Sequence, residues 1–271
     1  MKLWYQSLTR ASAWPEYNRV LRRTLDRVAD PGTEIVVHGI AKRGGVGDQY
    51  RSLEFVETIE VLENVARAEA EGYDAVLLGN VADPGLREAR EIADIPVLGL
   101  CETSLHVACL MGASFGLVGS NEKHRARILE NVVRYRLEHR LAAFERMTLE
   151  RLPDLDLAFT EGAVRTRILG EFRAAAEACA AAGAEVVIPA VGVVMALVAE
   201  AGIDEARPGT PILNGIVALV KMGETAVRMR RLMGGRFTSR RAAYAQPPAG
   251  LIRELRHFYG PVFPRVAPSS S

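Results

Sequence analysis

The sequence predicts an α/β protein in which parallel strands alternate with helices. Short runs of β-branched residues alternate with longer amphipathic segments rich in Ala, Glu and Arg, and this rhythm is typical of parallel strands joined by crossover helices. The predicted strands are 2–8, 34–39, 74–79, 96–100, 114–119, 155–160, 185–190 and 211–213. The predicted helices are 15–29, 52–71, 84–93, 102–111, 122–137, 163–182, 192–201 and 215–233.

An internal repeat indicates two similar halves. The segments "AEAEGYDAVLLGN" and "ACAAAGAEVVIPAV" both run from an Ala-rich helix end through a terminating glycine into a buried strand and a turn. Aligning Gly72 with Gly183 places Asn80 opposite Val191. Ligands of open α/β sheets lie beyond the carboxyl ends of the strands, so Asn80 and Val191 should face each other across a cleft between the halves.

A second match suggests where the halves begin and end. "IPVLGL" matches "TPILNG", with Pro96 opposite Pro211. The predicted division is a first half of 1–100 with 211–235, a second half of 101–210 and a C-terminal extension of 236–271.

The C-terminal extension is rich in Arg, Pro, Gly and aromatic residues and lacks the strand and helix rhythm. Its aromatic side chains should be covered by the body or by a neighbouring subunit, so we expect a homo-oligomer. These side chains are Tyr244, Phe258, Tyr259 and Phe263.

Charge and cysteine content narrow the class of ligand. The 34 Lys and Arg residues against 33 Asp and Glu residues give a net charge of +1, too little for the long-range attraction that nucleic-acid and membrane-surface proteins use. No apolar run reaches the roughly 20 residues of a membrane helix. The start "MKLWYQSLTR" has no signal-peptide core, so we expect a cytoplasmic protein with a small-molecule partner. Three cysteines without a C-x-x-C pair predict neither a disulfide framework nor a metal site.

The glycine-rich segment "AKRGGVGDQYRS", residues 41–52, is predicted to be a mobile cover over the cleft. It contains neither G-x-G-x-x-G after a strand nor G-K-[ST], so it is not a nucleotide-binding loop. Lys42 or Arg43 would attract an anionic substrate there.

The segments "YDAVLLGNVADPGLREAREIADIPVLGLCETSLHVACLMGASFGLVG", "NEKHRARILENVVRYRLEHR" and "TPILNGIVALVKMGETAVRM" resemble the hydantoin racemase branch of the aspartate/glutamate racemase superfamily. The resemblance covers most of 1–233. It implies two pseudo-symmetric halves, no cofactor, and one cysteine at each corner, with one thiol removing the α-proton and the other returning a proton. Here the corners carry Asn80 and either Val191 or Gly192, so standard two-thiol racemisation is not expected.

Cys101, Glu102 and His106 are the candidate catalytic residues. Cys101 ends the strand "IPVLGLC", and the following helix N-terminus would lower the pKa of its thiol. Glu102 and His106 are four residues apart and share a helix face, and the racemase relatives carry a similar pair. The alternatives are a cysteine packed at a strand end, a glutamate favoured by the helix dipole and a core histidine.

Asn80 and Asp83 flank the first corner. The Asn80 amide is suited to holding a carboxylate or amide, and Asp83 to accepting from a substrate N–H. The alternative for Asp83 is structural, because "ADPGL" is a good helix start with Asp83 as N-cap and Pro84 at the first helical position.

The stretch "PAVGVV", with Val191, Gly192 and Val193, leaves backbone N–H groups at a helix start, where they would cradle an anionic group or an oxyanion. "NVAD", with Val81, has the same character. The alternative is two ordinary helix starts.

Further polar residues at predicted strand ends are candidate substrate contacts, although such residues often only cap a turn. They are Gln6, Ser7, Thr160, Glu161 and Asn214.

Two functional hypotheses follow. The first is a cofactor-independent isomerase, lyase or hydrolase that acts on a small carboxylate, hydantoin-like ring or amide through an enolate-like or tetrahedral intermediate. The second is a non-catalytic ligand-binding or regulatory descendant of the same fold. An exposed Cys101 with a low pKa would favour the enzyme hypothesis. An apolar cleft would favour the binding-protein hypothesis.

Overall fold

We describe the protein from a computed structural model that covers residues 1–46, 50–149, 152 and 154–260. The strands are β1 Lys2–Gln6, β2 Glu34–His38, β3 Ala75–Leu78, β4 Val97–Gly99, β5 Phe115–Gly119, β6 Leu141–Arg146, β7 Val186–Pro189, β8 Glu205–Arg207 and β9 Thr210–Pro211. The helices are α1 Pro15–Val28, α2 Arg51–Ala70, α3 Leu86–Ile92, α4 Leu100–Met111, α5 Glu122–Arg134, α6 Asp154–Leu157, α7 Gly162–Ala181, α8 Gly192–Glu200, α9 Gly215–Leu232 and α10 Ala249–Tyr259. The predicted α/β class is confirmed.

Two parallel sheets form the framework. The first has the strand order β2-β1-β3-β4 and the second β6-β5-β7. Leu3 pairs with Ala75 in the first sheet, and Phe115 with Val186 in the second. Strands β3 and β7 consist entirely of buried residues, as expected for parallel strands covered on both faces by helices.

Helices α4 and α9 connect the sheets. Helix α9 packs against α4, α1, β3 and β4. Leu77 of β3, Ile188 of β7 and Leu219 of α9 belong to one continuous apolar core. As a result, the turns after β3 and β7 lie side by side, and a Cβ added to Gly192 would be 3.8 Å from the Gly79 carbonyl oxygen.

The predicted strand at 155–160 is wrong. Residues Asp154–Leu157 form the short helix α6, and the strand beside β5 is β6, Leu141–Arg146. The segment "DLDLAFT" alternates polar and apolar residues like a half-buried strand. Strand β6 is a partly buried edge strand with two alanines, so it lacks the apolar run that identifies buried strands.

The predicted strand at 211–213 is also largely replaced. Residues Thr210–Pro211 pair antiparallel with β8, and only Ile212 bridges to Val187 of the second sheet. The segment is short, and a short apolar run alone does not show which sheet a strand joins, so the prediction placed it wrongly.

The C-terminal extension contains a helix that its composition did not predict. Arg240 donates hydrogen bonds to the carbonyl oxygens of Arg90 and Ala93 at the end of α3. Helix α10 follows, but Phe258 and Tyr259 are 74% and 69% exposed, so the described chain does not cover them. Phe263 lies outside the described residues. None of the helices described has the length and apolar character that crossing a bilayer requires.

Candidate active site

A cavity of about 100 Å³ lies between the turns that follow β3 and β7. One water needs about 10–15 Å³ of such space, so the cavity takes roughly seven to ten water-sized groups. Both turns contribute to the lining, together with the starts of α1, α2 and α5. The lining residues are Ser7, Leu8, Thr9, Trp14, Tyr17, Glu54, Glu57, Gly79, Asn80, Val81, Ala82, His124, Arg127, Leu152, Val191, Gly192 and Val193.

The cavity brings together only part of the predicted site. The predicted residues among its lining are Ser7, Asn80, Val81, Val191, Gly192 and Val193. The predicted residues outside its lining are Gln6, Asp83, Cys101, Glu102, His106, Thr160, Glu161 and Asn214.

The first corner, residues 79–83, has its polar groups occupied by the protein itself. Oδ1 of Asn80 accepts from the Ala82 N–H at 2.8 Å. Nδ2 of Asn131 donates to the Val81 and Ala82 carbonyl oxygens at 3.4 and 3.0 Å. Arg127 donates to the same Ala82 oxygen at 3.1 Å. These bonds fix the turn. The NH2 group of the Asn80 side chain is the part of this corner that remains suited to a ligand.

The second corner, residues 189–193, is bare. Helix α8 begins at Gly192 with no side-chain cap and no acidic residue in its first turn. Within the described chain, no acceptor takes the amide hydrogens of Gly192 or Val193. The positive end of the helix dipole therefore faces the cavity without compensation.

Two phenols lie beneath the corners. A Cβ added to Gly79 would lie 2.3 Å from the Tyr5 ring, so only glycine leaves room for it. A Cβ added to Gly192 would lie 3.4 Å from the Tyr17 hydroxyl oxygen. Burial raises the pKa of both phenols well above the usual value, so both stay protonated at neutral pH. Tyr17 lines the cavity, whereas Tyr5 lies behind Gly79.

The opposite wall carries an ion pair and a histidine. Arg127 and Glu54 form a bridge at 2.9 Å, and their side chains are 15% and 20% exposed. His124 is buried, with its Nδ1 3.3 Å from the Ser120 hydroxyl. Burial, followed by the positive charge of Arg127, lowers the His124 pKa to about 4, so the imidazole is neutral at pH 7.

The described part of segment 41–52 is fixed to α2. Glu60 accepts from the backbone N–H groups of Ala41 and Lys42 at 2.7 and 2.9 Å, and Glu57 accepts from that of Gly45 at 2.6 Å. The Lys42 ammonium pairs with Glu63. Neither Lys42 nor Arg43 lines the cavity, so neither supplies the attraction predicted for it. Residues 47–49 lie outside the described chain.

Comparison with known proteins identifies the family. The sequence model described as Asp/Glu/Hydantoin racemase matches residues 13–232. The chain belongs to the Asp/Glu/hydantoin racemase family. Hydantoin racemase from Pseudomonas sp. (strain NS671) is 30% identical in an alignment of 201 residues that covers 72% of this chain and 72% of that protein. Hydantoin racemase from Paenarthrobacter aurescens is 26% identical in an alignment of 229 residues that covers 82% of this chain and 91% of that protein.

Solved structures show the same racemase-family fold. Allantoin racemase from Klebsiella pneumoniae superimposes with a TM-score of 0.72 at 24% identity, covering 91% of this chain and 94% of that one. Allantoin racemase from Pseudomonas fluorescens gives a TM-score of 0.73 at 22% identity, covering 92% and 97%. Both likenesses extend over nearly the whole chain, and both concern the fold.

The expectation of a low pKa for Cys101 is wrong for this member of the racemase family. Cys101 is the second residue of α4 and is 4% exposed. Burial, followed by the charge of Asp83, raises the pKa of the thiol well above its usual value. The thiol lies against a separate apolar void behind the first corner, beside Leu117 and Met195. Desolvation thus outweighs the helix dipole at this site.

Glu102 and His106 do not form a dyad in the structure. Both oxygens of Glu102 accept from Arg90, one at 3.0 Å. His106 is exposed, and its ring lies 6.3 Å from that of Tyr135. Arg90 on α3 is therefore the partner of Glu102, in the place that helical spacing alone predicted for His106.

Asp83 is a cap, but for a different helix from the one predicted. Helix α3 begins at Leu86 with Gly85 as N-cap. The buried Asp83 carboxylate instead accepts from the N–H groups of Cys101 and Glu102 at 2.9 and 2.8 Å, at the start of α4. A left-handed backbone, with φ of 49°, turns the side chain toward α4.

Four remaining predicted residues also have structural partners or lie at the surface. Oε1 of Gln6 accepts from Trp4 and Asn64 within the first sheet. Asn214 caps α9 by accepting from Ile216 and Val217. Thr160 and Glu161, placed after a strand that does not exist, are exposed at the start of α7.

The lining residues that the sequence did not single out include the titratable groups of the cavity. They are Tyr17, Glu54, Glu57, His124 and Arg127. The sequence could have indicated His124 and Arg127 as site residues, because they are three residues apart at a helix start that follows a strand's carboxyl end. No sequence pattern indicated Tyr17, since its contact with Gly192 depends on how the two halves pack together.

Proposed function

We propose that the protein is a cofactor-independent enzyme whose active site is the cavity between the two corners. The observation that carries the proposal is the uncapped start of α8, which lines a cavity sized for a small molecule. Amide N–H groups at such a position stabilise negative charge that develops on a substrate oxygen. An enolate-like or tetrahedral intermediate is therefore the chemistry that this site favours.

The charges in the cavity favour an uncharged ring over an amino-acid carboxylate. Among the described lining residues, Arg127 is the only Lys or Arg, and its guanidinium is taken by Glu54 and the Ala82 carbonyl. Glu54 and Glu57 add two carboxylates to the same lining. Of a small carboxylate, a hydantoin-like ring and a related amide, we propose the neutral cyclic amide, in keeping with the hydantoin and allantoin racemases among the similar proteins.

The reaction is proposed to proceed without a thiol pair. No cysteine occurs among the described residues that line the cavity, and neither Asn80 nor Val191 is able to take up an α-proton near neutral pH. Isomerisation, decarboxylation, cleavage of a carbon–heteroatom bond and ring hydrolysis all pass through intermediates that the α8 amides would stabilise.

The test is exchange and turnover with a neutral ring and with charged controls. Purified protein is incubated in D₂O with 5-methylhydantoin, aspartate or glutamate, and ¹H NMR follows loss of the C–H signal and new products. We expect loss of the C–H signal or new products with 5-methylhydantoin, and neither with aspartate or glutamate. Val193→Phe, which fills the cavity, should abolish it, whereas Val133→Phe, at a residue 59% exposed on α5, should not. Equal activity of the two variants would place the chemistry elsewhere.

A non-catalytic binding protein is the second candidate. It is favoured by the corner residues themselves, because Asn80 and Val191 are not proton-transfer groups, and by the buried thiol of Cys101. Calorimetric titration with 5-methylhydantoin separates the two candidates: tight binding without exchange or turnover supports the binding protein.

We also propose a homo-oligomer. Phe55 and Ile59 on α2 are 70% and 51% exposed, and Phe258 and Tyr259 on α10 are exposed as well. Apolar side chains in such groups are usually covered in the native assembly. Light scattering at micromolar concentration should give more than one subunit, and a strict monomer would contradict the proposal.

A further inference from the structure

The Tyr17 hydroxyl is a polar group of the cavity with no structural task. It lies beside the second corner, since a Cβ at Gly192 would be 3.4 Å from it. Its side chain is 2% exposed and lines the cavity. The neighbouring Tyr5 hydroxyl has no well-formed hydrogen bond within the described residues. Burial raises the pKa of Tyr17 and the Tyr5 hydroxyl lowers it, as a donor to the Tyr17 oxygen does, so Tyr5 does not take the Tyr17 proton. That proton is available to a ligand.

The surroundings hold Tyr17 in place. Its backbone N–H donates to Oδ1 of Asp156 at 2.7 Å. The Trp14 ring packs edge-on against the Tyr17 ring, with centroids 6.3 Å apart and planes at 77°. Because Trp14, the N-cap residue of α1, makes no side-chain cap, Asp156 is what secures the first turn of the helix. A fixed donor of this kind loses little entropy when it acts.

Among the hydroxyl and titratable side chains of the described lining, the other proton donors are already used or do not give up a proton at neutral pH. Arg127 is committed to Glu54 and Ala82. His124, with a pKa of about 4, is neutral at pH 7 and holds no extra proton. The Ser7 and Thr9 hydroxyls bond to each other at 2.7 Å. Tyr17 therefore differs from the other described lining side chains in having an acidic proton that no described acceptor takes.

We propose that the Tyr17 hydroxyl is the catalytic acid of this site and returns a proton to the substrate carbon at the second corner. The enolate-like carbon arises when its C–H bond gives up a proton to a basic group of the lining, which holds the Glu54 and Glu57 carboxylates and the neutral His124 imidazole. In the step assigned to Tyr17, the O–H bond of Tyr17 breaks, and the electron pair of the enolate-like carbon forms the new C–H bond. The phenolate that remains regains its proton from water after product leaves. The role rests on the proposed function, because it requires an enolate-like intermediate.

The second corner suits this chemistry. The uncapped start of α8 lies next to the Tyr17 oxygen and stabilises the negative charge that the oxygen acquires. The same amides stabilise the enolate oxygen before transfer. Burial keeps the phenol protonated over the neutral range, so the acid form is present when the intermediate forms.

A second buried tyrosine provides a matched test. Tyr17→Phe and Tyr73→Phe each remove one buried hydroxyl, but only Tyr17 lines the cavity. Exchange of 5-methylhydantoin in D₂O should fall about 100-fold or more in Tyr17→Phe, with KM changed by less than about threefold. Tyr73→Phe, whose hydroxyl lies beside His38 and outside the lining, should stay within about threefold of the wild type.

A second measurement covers the case in which Tyr17→Phe folds poorly. Replacing Tyr17 with 3,5-difluorotyrosine keeps the ring and hydroxyl but lowers the phenol pKa, so the alkaline limb of the pH–rate profile should move to lower pH. Unchanged exchange in Tyr17→Phe, equal losses in both phenylalanine variants, or an unmoved alkaline limb would each overturn the role of Tyr17. No exchange in the wild type would overturn the proposed function and, with it, this role.

Discussion

The first corner is tied into the protein by side chains, whereas the second corner is tied only through its strand and helix. Asn131, Arg127 and Asp83 fix residues 79–83 to α5 and α4. At residues 189–193 no side chain caps α8, and the amides of Gly192 and Val193 have no acceptor in the described chain. Two corners that the sequence repeat treats as equivalent therefore differ in what they offer a ligand.

The difference shows how a pseudo-symmetric scaffold separates two tasks. A corner whose turn is held by side-chain hydrogen bonds sets shape and position, because most of its donors and acceptors are no longer available. A corner with unpaired amides at a helix start interacts with developing charge. We expect stability to be sensitive at the first corner and turnover to be sensitive at the second.

The largest effect should come from the pH dependence of Asp83, which has no counterpart at the second corner. Burial raises its pKa to about 7, against the lowering effect of hydrogen bonds from Tyr135, Glu102 and Cys101. The folded state therefore holds this proton more tightly than the unfolded state. The contribution of Asp83 to stability is full below about pH 4 and is lost as pH rises toward 7, by up to about 4 kcal/mol.

Denaturant unfolding at pH 4, 5.5 and 7 of the wild type and Asp83→Asn measures this contribution. The difference in unfolding free energy between the two should shift against the wild type as pH rises. A difference that stays constant over the range would mean that the hydrogen bonds outweigh burial and keep the carboxylate ionised.

Removal of the Asn131 side chain should destabilise the protein by about 3 kcal/mol, because the buried Val81 carbonyl loses its side-chain donor and the Ala82 carbonyl keeps only Arg127. Asn131 is fully buried and contacts the Val81 and Ala82 oxygens. Val191→Ala at the second corner removes packing alone and should cost about 1 kcal/mol. Chemical denaturation compares them, and equal losses would contradict the contrast between the corners.

The smallest effect on turnover is expected for Cys101→Ala. The thiol lies behind the first corner, outside the cavity lining, and is protonated at neutral pH. Turnover of 5-methylhydantoin should stay within about twofold, far from the roughly 100-fold loss that follows removal of a catalytic acid. A large loss with normal melting would return Cys101 to the site and weaken the assignment of proton transfer to the second corner.

The framework was predictable from the sequence because buried parallel strands leave a strong local signal. The runs around Ala75–Leu78 and Val186–Pro189 are continuous and apolar, and each is bounded by glycine or a turn. Strand β6 was not predicted, because an edge strand is only partly buried and its alanines do not favour strands. Helix α10 escaped because prolines and glycines surround it.

The site was less predictable because it depends on contacts between segments far apart in the chain. Asn80 and Val191 followed from the repeat and the strand-end rule, and both line the cavity. The partners of Glu102 and Asp83 did not follow, since Arg90 and the start of α4 reach them through space. Local spacing suggests which residues share a helix face, but burial decides which of their groups are charged.

The hydrogen bonds from α1 to Asp156 bear on the modularity of the protein. The first turn of α1, beside the first sheet, is capped by a carboxylate from α6, a segment that the chain reaches only after the second sheet has begun. A gene fragment that ends before α6 would encode a helix whose opening amides must be met by water. Expressing or recombining the first half without α6 would thus separate Tyr17 from its anchor, so the two halves are better exchanged as a unit than separately.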